Sequence, residues 1–422
     1  MGSYKDLKIV IIGDGIAGYT AARQIKRLAA EAPVTLIGAE KVPPYSACAL
    51  PDYLAGYQGR EGVFLPSFLE LEGVEIRRGT LAEGIDTGEQ RVKVSGQWLP
   101  YDRLILATGS VAIIPPVPGA GLPGNFTLKT LKDVDAILAW GGWAAVVVGS
   151  GAIGIETSLA LREKGFEVTL IELLDRILPT AFDLEPSRLL QAEVEKHGVR
   201  VMVGEKVMEV KGQERVTGVG TTGGDIPCDL VIWAAGVRPN ITLGREANLE
   251  IGQFRGLKVN AALATSAPYI YACGDCVETW DRVLQRPGLS LLWASAKEQA
   301  AVAASNCLGI AREYPGSLGV LIEEIGTLTA VSAGFTEASL QNMPGIGAIN
   351  VLKGKDACGY HKMLVQGEKI VGIQVVGHFR GAGAVLAWMQ KGTPLAAIRE
   401  VLDNPVYLSG APWYNQAVRL VS

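Results

Sequence analysis

Residues 8–18, KIVIIGDGIAG, decide the fold of this chain. A short apolar run ends abruptly in three glycines with the spacing GxGxxG. A helical pattern follows over residues 19–30, and a second apolar run, VTLI, occupies residues 34–37. Strand, glycine turn, helix and second strand in this order predict a βαβ unit whose turn binds a dinucleotide.

The same pattern occurs a second time. Residues 146–148, VVV, lead into GSGAIG at residues 149–154, and a helix-like run continues to Lys164. The second strand of this copy, residues 168–171, again reads VTLI. A lone GxGxxG is weak evidence, but here each copy follows a strand and precedes a helix, which is the context that gives the motif its meaning. The sequence therefore predicts two dinucleotide sites.

Each glycine of such a turn has its own physical task. The first allows a tight turn, the second lets a pyrophosphate approach the backbone, and the third lets helix and strand pack closely. The helix N-terminus then presents free N–H groups and partial positive charge to the phosphates. The residues predicted for these tasks are Gly13, Gly15 and Gly18 in the first unit and Gly149, Gly151 and Gly154 in the second.

Acidic residues after the second strand of each unit are candidates for binding a ribose. Glu172 directly follows the second VTLI run, where a carboxylate accepts hydrogen bonds from a 2′-hydroxyl and repels a 2′-phosphate. This favours NAD over NADP, although Arg176 lies close enough in sequence to soften the preference. In the first unit the corresponding position is Gly38, and the acid follows two residues later as Glu40.

Composition excludes several classes of protein. The 422 residues suggest about three domains. Lys and Arg number 39 against 43 Asp and Glu, so no basic surface for nucleic acid is expected. Hydrophobic residues make up 48%, which excludes global disorder. We expect no membrane span, no signal peptide, a cytoplasmic location and, with three histidines and six scattered cysteines, no metal site.

Three further stretches complete the pattern. They read YDRLILATGS at 101–110, VIWAAGVRPN at 231–240 and YIYACGDC at 269–276. Together with the paired glycine motifs, and in this order, they resemble the FAD-dependent pyridine nucleotide–disulfide oxidoreductases over essentially the whole chain. The resemblance is nearest to two branches: the coenzyme A-disulfide reductases with the NADH oxidases, and the rubredoxin or ferredoxin reductases with the flavin part of nitrite reductases.

The resemblance implies FAD on the first unit and NADH on the second. Asp275 would bind the ribityl chain, with Gly274 letting the backbone come near. Glu156 matches a family Glu beside the nicotinamide; its other interpretation is a solvated carboxylate favoured by the helix dipole. The cofactor-binding residues implied are Gly13, Gly15, Ala17, Gly18, Glu40, Ala107, Thr108, Gly109, Gly149, Gly151, Ile153, Gly154, Glu156, Glu172, Gly236, Gly274 and Asp275.

The resemblance also implies an α/β architecture with two Rossmann-like domains and a C-terminal α+β dimerisation domain. Its expected boundaries are 1–112 with 240–318 for FAD, 113–239 for NAD, and 319–422 for the C-terminal domain. Residues 359–365 and 369–377 are predicted to form two strands joined by a tight turn. The aromatic residues that this domain could bring to a partner's flavin are Tyr407, Trp413 and Tyr414.

The electron acceptor is the open question. The loop at 43–56, PPYSACALPDYLAG, has no CxxxxC pair, which disfavours a two-cysteine disulfide mechanism. Its single Cys48 resembles the catalytic cysteine of the first branch, while its flanks resemble the second. That second branch usually has Arg and Lys where this chain has Ala47 and Asp52. Cys273 and Cys276 have CxxC spacing but are interpreted as packing residues.

Two functions therefore stay open, with Cys48 weighed evenly between a redox role and a small hydrophobe. In the first, hydride passes from NADH to FAD and electrons then reach a small disulfide, persulfide or oxygen through Cys48. In the second, Cys48 is inactive and the partner is a small iron–sulfur protein of rubredoxin or ferredoxin type. A third, non-enzymatic interpretation is a flavin-bound assembly subunit. A homodimer is expected in each case.

Overall fold

The computed structural model describes residues 4–65, 71–356, 359–377 and 381–398. Tyr407, Trp413 and Tyr414 lie outside these ranges, as does Cys358. The chain divides into two compact units. The described residues of the first unit fall within Met1–Ala49, Gly59–Val111 and Val237–Ser317, and those of the second within Leu50–Gln58, Ala112–Gly236 and Leu318–Ser422.

The strands are β1 (Ile9–Ile12), β2 (Val34–Ile37), β3 (Val74–Arg77), β4 (Ala82–Asp86), β5 (Arg91–Val94), β6 (Gln97–Pro100), β7 (Arg103–Leu106), β8 (Ser110–Ala112), β9 (Asn125–Thr127), β10 (Ala144–Val148), β11 (Glu167–Glu172), β12 (Arg200–Val203), β13 (Val207–Gly212), β14 (Val216–Thr221), β15 (Gly224–Pro227), β16 (Leu230–Trp233), β17 (Val237–Pro239), β18 (Leu257–Lys258), β19 (Ile270–Ala272), β20 (Val277–Trp280), β21 (Pro287–Gly288), β22 (Val320–Ile325), β23 (Leu328–Gly334), β24 (Ile349–Asp356), β25 (Gly359–Gln366) and β26 (Lys369–Gly377). The helices are α1 (Ile16–Leu28), α2 (Leu50–Ala55), α3 (Leu131–Trp140), α4 (Ala152–Glu163), α5 (Leu184–Lys196), α6 (Thr242–Glu246), α7 (Trp293–Cys307), α8 (Glu337–Gln341) and α9 (Ala382–Lys391).

The first unit is built on a parallel sheet in the order β19-β7-β1-β2-β3. Its central strand β1 is entirely apolar and buried, as expected for a strand covered on both faces. Helix α1 connects β1 to β2, so the first predicted βαβ unit is confirmed. The helix begins at Ile16, earlier than the predicted 19–30, because the third glycine lies inside its first turn.

The second unit repeats this architecture in a parallel sheet ordered β12-β11-β10-β16-β9. Helix α4 connects β10 to β11, which confirms the second βαβ unit, and Lys164 is its C-terminal cap. The mixed α/β class with dinucleotide-type parallel sheets is thus confirmed. In both units the glycine turn lies at the carboxyl edge of a parallel sheet, where ligands of open α/β sheets bind.

Residues beyond 318 add an antiparallel sheet to the second unit, ordered β22-β23-β26-β25-β24. The two strands predicted at 359–365 and 369–377 are its β25 and β26, paired through Lys362 and Gln374. No helix in the described ranges combines the length and the apolarity needed to cross a bilayer.

A buried polar cluster joins this sheet to the start of α5. Lys362 Nζ donates to Asp183 Oδ2 at 2.7 Å and to Glu337 Oε2 at 2.8 Å, and Gln374 Nε2 donates to Asp183 Oδ2 at 2.6 Å. Burial alone would raise the pKa of Asp183, but these hydrogen bonds hold it below its usual value. The cluster fixes the antiparallel sheet against the dinucleotide-type half of the same unit.

Candidate functional site

The first glycine turn, between β1 and α1, has room for no side chain at two of its three glycines. Gly13 has φ +108°, and a Cβ there would collide with the carbonyl oxygen of Ala107. A Cβ on Gly18 would collide with the carbonyl oxygen of Gly13. The backbones of β1, β7 and α1 approach one another closely at this turn. This close approach by itself explains why both positions are glycine, without reference to any ligand.

Gly15, between them, needs a different explanation. Its backbone is extended, and a Cβ built on it meets nothing within 4 Å. It caps α1 without a side-chain hydrogen bond, and the first turn of the helix contains no acidic residue. The open space, the uncapped N–H groups and the helix dipole together fit a phosphate of the predicted FAD.

The predicted Ala-Thr-Gly turn, which follows β7, lies at the same edge of this sheet. Ala107 follows β7 and donates its N–H to the Ile12 carbonyl oxygen at 2.8 Å. Thr108 donates its hydroxyl to the Asn240 carbonyl oxygen at 2.6 Å, and Asn240 N–H donates to the Gly109 carbonyl oxygen at 2.9 Å. The predicted Ala-Thr-Gly turn is thus held rigidly beside the first glycine turn.

The Gly-Asp turn follows β19 at the next position along this edge. Gly274 has φ +82°, and a Cβ there would lie 3.0 Å from Cβ of Ala17. Its N–H donates to Oε1 of the buried Gln299 at 2.7 Å. Ser110 Oγ donates to Asp275 Oδ2 at 2.6 Å, which fixes the carboxylate predicted to bind the ribityl chain.

Sequence reasoning missed one acid at this first site. The Asp14 carboxylate occupies the space where a Cβ of Gly38 would lie, and burial is the main cause that raises its pKa to about 6. The predicted Glu40 lies nearby, is partly buried, and accepts a hydrogen bond from Tyr45 Oη at 3.0 Å. The sequence contains a signal for this arrangement. Gly38 occupies the position where the ribose-binding acid is expected, and Asp14 lies within the GxGxxG motif itself.

The second glycine turn, between β10 and α4, has the same construction. Gly149 has φ +102°, and a Cβ there would collide with the carbonyl oxygen of Ala234. A Cβ on Gly154 would collide with the carbonyl oxygen of Gly149, whereas one on Gly151 meets nothing within 4 Å. Helix α4 also starts without a side-chain cap and without an acid in its first turn. This turn fits a second dinucleotide on the same grounds.

Glu172 ends β11 and is tied to this turn. It is 7% exposed, and its Oε2 accepts from Ser150 N–H at 2.9 Å and from Ser150 Oγ at 2.6 Å. Its Oε1 accepts from Leu174 N–H at 2.9 Å. Oε1 keeps a lone pair for a further donor, so the acid is oriented but still able to accept from a ribose hydroxyl.

Arg176 is bound by its own neighbours. Its Nη1 lies 2.6 Å from Asp175 Oδ1, and its Nε donates to the Phe182 carbonyl oxygen at 3.1 Å. The predicted Ile153 is partly exposed in the first turn of α4, and Gly236, with φ +98°, follows the adjacent strand β16. Arg176 is therefore engaged by contacts with residues close to it in sequence.

Glu156 lies on α4, two residues beyond the last glycine of the turn. Burial raises its pKa to about 7, and the charge of Asp52 on α2 adds to the shift. A second acid, Glu323 on β22, is 4% exposed, and its pKa rises to about 8 through burial and then through the charge of Glu156. Sequence reasoning missed Glu323, because nothing local in VLIEEI identifies which of its acids faces inward.

The cysteines differ sharply in exposure. Among those in the described ranges, Cys48 alone is exposed, on the single-turn 3₁₀ helix Ala47–Ala49. Cys273 and Cys276 are completely buried, and burial raises the pKa of both thiols. Burial likewise raises the pKa of Cys228 and Cys307 to about 12. Thiols with such raised pKa values stay protonated near neutral pH and are poor nucleophiles. Among the cysteines of the described ranges, Cys48 is therefore the candidate nucleophile.

These features define a protein with two dinucleotide-type glycine turns, one in each unit. Residues 7–304 match the family model described as pyridine nucleotide-disulphide oxidoreductase, and the chain belongs to this family. This membership confirms the expected class, an FAD- and NAD(H)-dependent flavoprotein oxidoreductase.

Individual relatives differ in their acceptors. An NADH oxidase of Methanocaldococcus jannaschii is 32% identical over 89% of this chain and 89% of its own length. A nitric oxide reductase FlRd-NAD(+) reductase of Vibrio vulnificus is 32% identical over 65% of this chain and 73% of its own. Among solved structures, an NAD-dependent persulfide reductase from A. fulgidus is 27% identical with a TM-score of 0.89, covering 98% of this chain and 82% of that one.

Proposed function

We propose that this protein oxidises NADH and reduces a small disulfide, a persulfide or oxygen through Cys48. The observation that carries the proposal is the exposure of Cys48 while the other cysteines of the described ranges are buried. The M. jannaschii and A. fulgidus relatives, whose names specify NADH oxidation and persulfide reduction, support this choice.

For a disulfide RSSR′, the chemistry balances as NADH + H⁺ + RSSR′ → NAD⁺ + RSH + R′SH. The Cys48 thiolate attacks one sulfur, forms a mixed disulfide and releases the other sulfur as a thiol. Two electrons that originate in NADH then cleave the mixed disulfide and restore the thiolate. The bound cofactors supply hydride transfer and electron relay, and the protein supplies binding, orientation and the nucleophile.

Each predicted site residue takes a role in this proposal. For FAD these are Gly13, Gly15, Ala17, Gly18, Glu40, Ala107, Thr108, Gly109, Gly274 and Asp275, and for NADH they are Gly149, Gly151, Ile153, Gly154, Glu156, Glu172 and Gly236. We further propose the domain layout 1–112 with 240–318, 113–239 and 319–422, the last forming a homodimer contact. Free cysteines support a reducing, cytoplasmic compartment.

Replacement Cys48→Ser tests the proposed nucleophile. Because the serine hydroxyl stays protonated near neutral pH, turnover with a persulfide or disulfide is expected to fall by about 10³-fold or more. Reduction of the bound flavin by NADH should be unchanged, since that step does not use the thiol. Stopped-flow absorbance separates the two half-reactions.

Cys358→Ser is the matched control and should retain full turnover. Unchanged acceptor turnover in the Cys48→Ser protein would contradict the proposed role. In that event the second candidate function applies, an NADH reductase of a small iron–sulfur protein. It is favoured by the V. vulnificus relative and by the Pro44-Tyr45 flank of the loop. Its rate would survive Cys48→Ser and fall steeply with ionic strength.

Coenzyme preference depends on Glu172 and on the ion pair of Arg176. Glu172→Ala is expected to weaken NADH binding by about tenfold or more through loss of a charge-assisted hydrogen bond. NADPH binding should improve by less than about tenfold, because Arg176 stays bound to Asp175 and the Phe182 carbonyl oxygen. Calorimetric titration with both coenzymes measures this. A large increase in NADPH affinity in the Glu172→Ala protein would show that Arg176 leaves Asp175 and binds the 2′-phosphate.

A further inference from the structure

We propose that Asp14 binds the adenosine ribose of FAD and takes the place of the acid that the first βαβ unit lacks at the end of its second strand. This adds to the FAD site a residue that neither the glycine motif nor the family resemblance assigns. The inference rests on the proposed function, because the resemblance is what puts FAD on the first glycine turn. It follows from a comparison of the two βαβ units, whose turns share their backbone contacts but differ in two side chains.

The backbone contacts of the two glycine turns match. Gly13 N–H donates to the Ile37 carbonyl oxygen at 2.8 Å, and Gly149 N–H donates to the Ile171 carbonyl oxygen at the same distance of 2.8 Å. In both units the last residue of the first strand is also paired with the last residue of the VTLI run. The residue that comes next in each turn, and the residue that follows each VTLI run, therefore occupy equivalent places in the two units.

At these equivalent places the carboxylate is supplied by opposite partners. In the second unit the turn has Ser150 and the VTLI run is followed by Glu172, whose Oε2 accepts from Ser150 N–H at 2.9 Å and from Ser150 Oγ at 2.6 Å. In the first unit the turn has Asp14 and the VTLI run is followed by Gly38. The three atoms nearest to the place that a Cβ of Gly38 would occupy are the Oδ2, Cγ and Oδ1 of Asp14. Both units thus place one carboxylate where the turn meets the end of the second strand.

This exchange also explains why residue 38 is glycine. Gly38 is buried, and its φ is not positive, so the backbone conformation does not require glycine there. A side chain at this position would instead collide with the carboxylate of Asp14. The end of the second strand is the place from which an acid of a dinucleotide-binding βαβ unit accepts a hydrogen bond from a ribose hydroxyl. Asp14 therefore carries the acceptor that a ribose needs at this place.

The charge of Asp14 suits this role above neutral pH. Burial raises its pKa to about 6; its own backbone N–H and the charge of Arg78 oppose this shift, and the charge of Glu40 adds to it. Arg78 is held by α1, because its Nη2 donates to the hydroxyl of the buried Tyr19 at 2.7 Å. At about pH 8 the carboxylate of Asp14 is therefore ionised and accepts hydrogen bonds only.

The test measures how strongly the full-length protein prefers FAD to an analogue whose adenosine lacks the 2′-hydroxyl. The protein is equilibrated at about pH 8 with equal amounts of both flavins, separated from the unbound flavin, and its bound flavins are quantified by chromatography. We expect the wild type to prefer FAD by about tenfold or more, the effect of one hydrogen bond to a charged group. Asp14→Ser should reduce this preference to less than about twofold.

A double variant, Asp14→Ser with Gly38→Glu, transfers the arrangement of Ser150 and Glu172 to the first unit. It should regain a preference for FAD of about tenfold. Gly38→Glu alone should weaken the binding of both flavins, because its Cβ collides with the carboxylate of Asp14. A merely structural role of Asp14 would not depend on the 2′-hydroxyl of the ligand and would not be restored by an acid on the neighbouring strand.

Asp6→Asn is the matched control, because Asp6 is an exposed acid of the same unit, and it should prefer FAD as the wild type does. An unchanged preference in the Asp14→Ser protein, or no preference in the wild type, would overturn the inference. Loss of the preference in Glu40→Gln but not in Asp14→Ser would assign the ribose to Glu40 and would also overturn it. These results leave the proposed function intact if NADH still reduces the flavin, whereas a protein that binds neither flavin would overturn both.

Discussion

Gly151→Val should abolish NADH binding while the protein remains folded and retains its FAD. The backbone of Gly151 is extended and a Cβ built on it meets nothing within 4 Å, so a side chain can leave the backbone there without strain. The new side chain instead fills the space through which a pyrophosphate would reach the N–H groups of α4. We expect a loss of at least about 100-fold in affinity, equivalent to roughly 2.7 kcal/mol.

Titration calorimetry with NAD⁺ and flavin absorbance after NADH addition measure this effect. Gly121→Val is the matched control: Gly121 lies in the same unit, has equal room for a Cβ and is not part of a glycine motif. It should bind NADH normally. Normal NADH binding by the Gly151→Val protein would remove the second glycine turn from the coenzyme site.

Gly15→Val should yield a colourless protein by the same argument applied to the first turn. The Cβ position of Gly15 is also empty, and its backbone is extended. Loss of glycine at the helix N-cap costs about 1 kcal/mol or less, so the fold should survive. Since the flavin pyrophosphate can no longer approach α1, the apoprotein is expected to bind added FAD at least about 100-fold more weakly than wild-type apoprotein.

Fluorescence quenching of added FAD gives this affinity without reference to activity. Gly84→Val, at an equally open glycine of β4 in the same unit, should bind FAD like the wild type. A yellow Gly15→Val protein with wild-type FAD content would mean that the flavin is held elsewhere. The two glycine variants together separate one site from the other.

The glycine turns were predictable because their constraints are local. Gly13 and Gly149 have positive φ, which favours glycine. Gly18 and Gly154 lie where a side chain would collide with the backbone. The spacing of the GxGxxG motif predicts both requirements. The parallel pairing of β1 with β2 and of β10 with β11 follows from the alternation of apolar runs with a helix between them. These elements lie where the sequence predicted them, apart from shifts at the helix ends.

The partners of the acids were not predictable in this way. Glu323 belongs to the antiparallel sheet, far in sequence from Glu156, and only the fold brings the two into one electrostatic field. The hydrogen bond from Ser150 to Glu172 and the ion pair between Asp175 and Arg176 depend on side-chain directions. The pattern of apolar residues along the chain does not specify these directions. Asp14 lies inside the glycine turn, whereas the motif predicts a ribose-binding acid only at the end of the second strand.

The most direct measurement is an anaerobic titration of the purified protein with NADH, monitored by the visible absorbance of bound flavin. Two functional dinucleotide sites predict yellow protein that is bleached completely by about one equivalent of NADH per flavin. Protein that stays yellow under excess NADH, or that is colourless and cannot be reconstituted with FAD, would contradict the account.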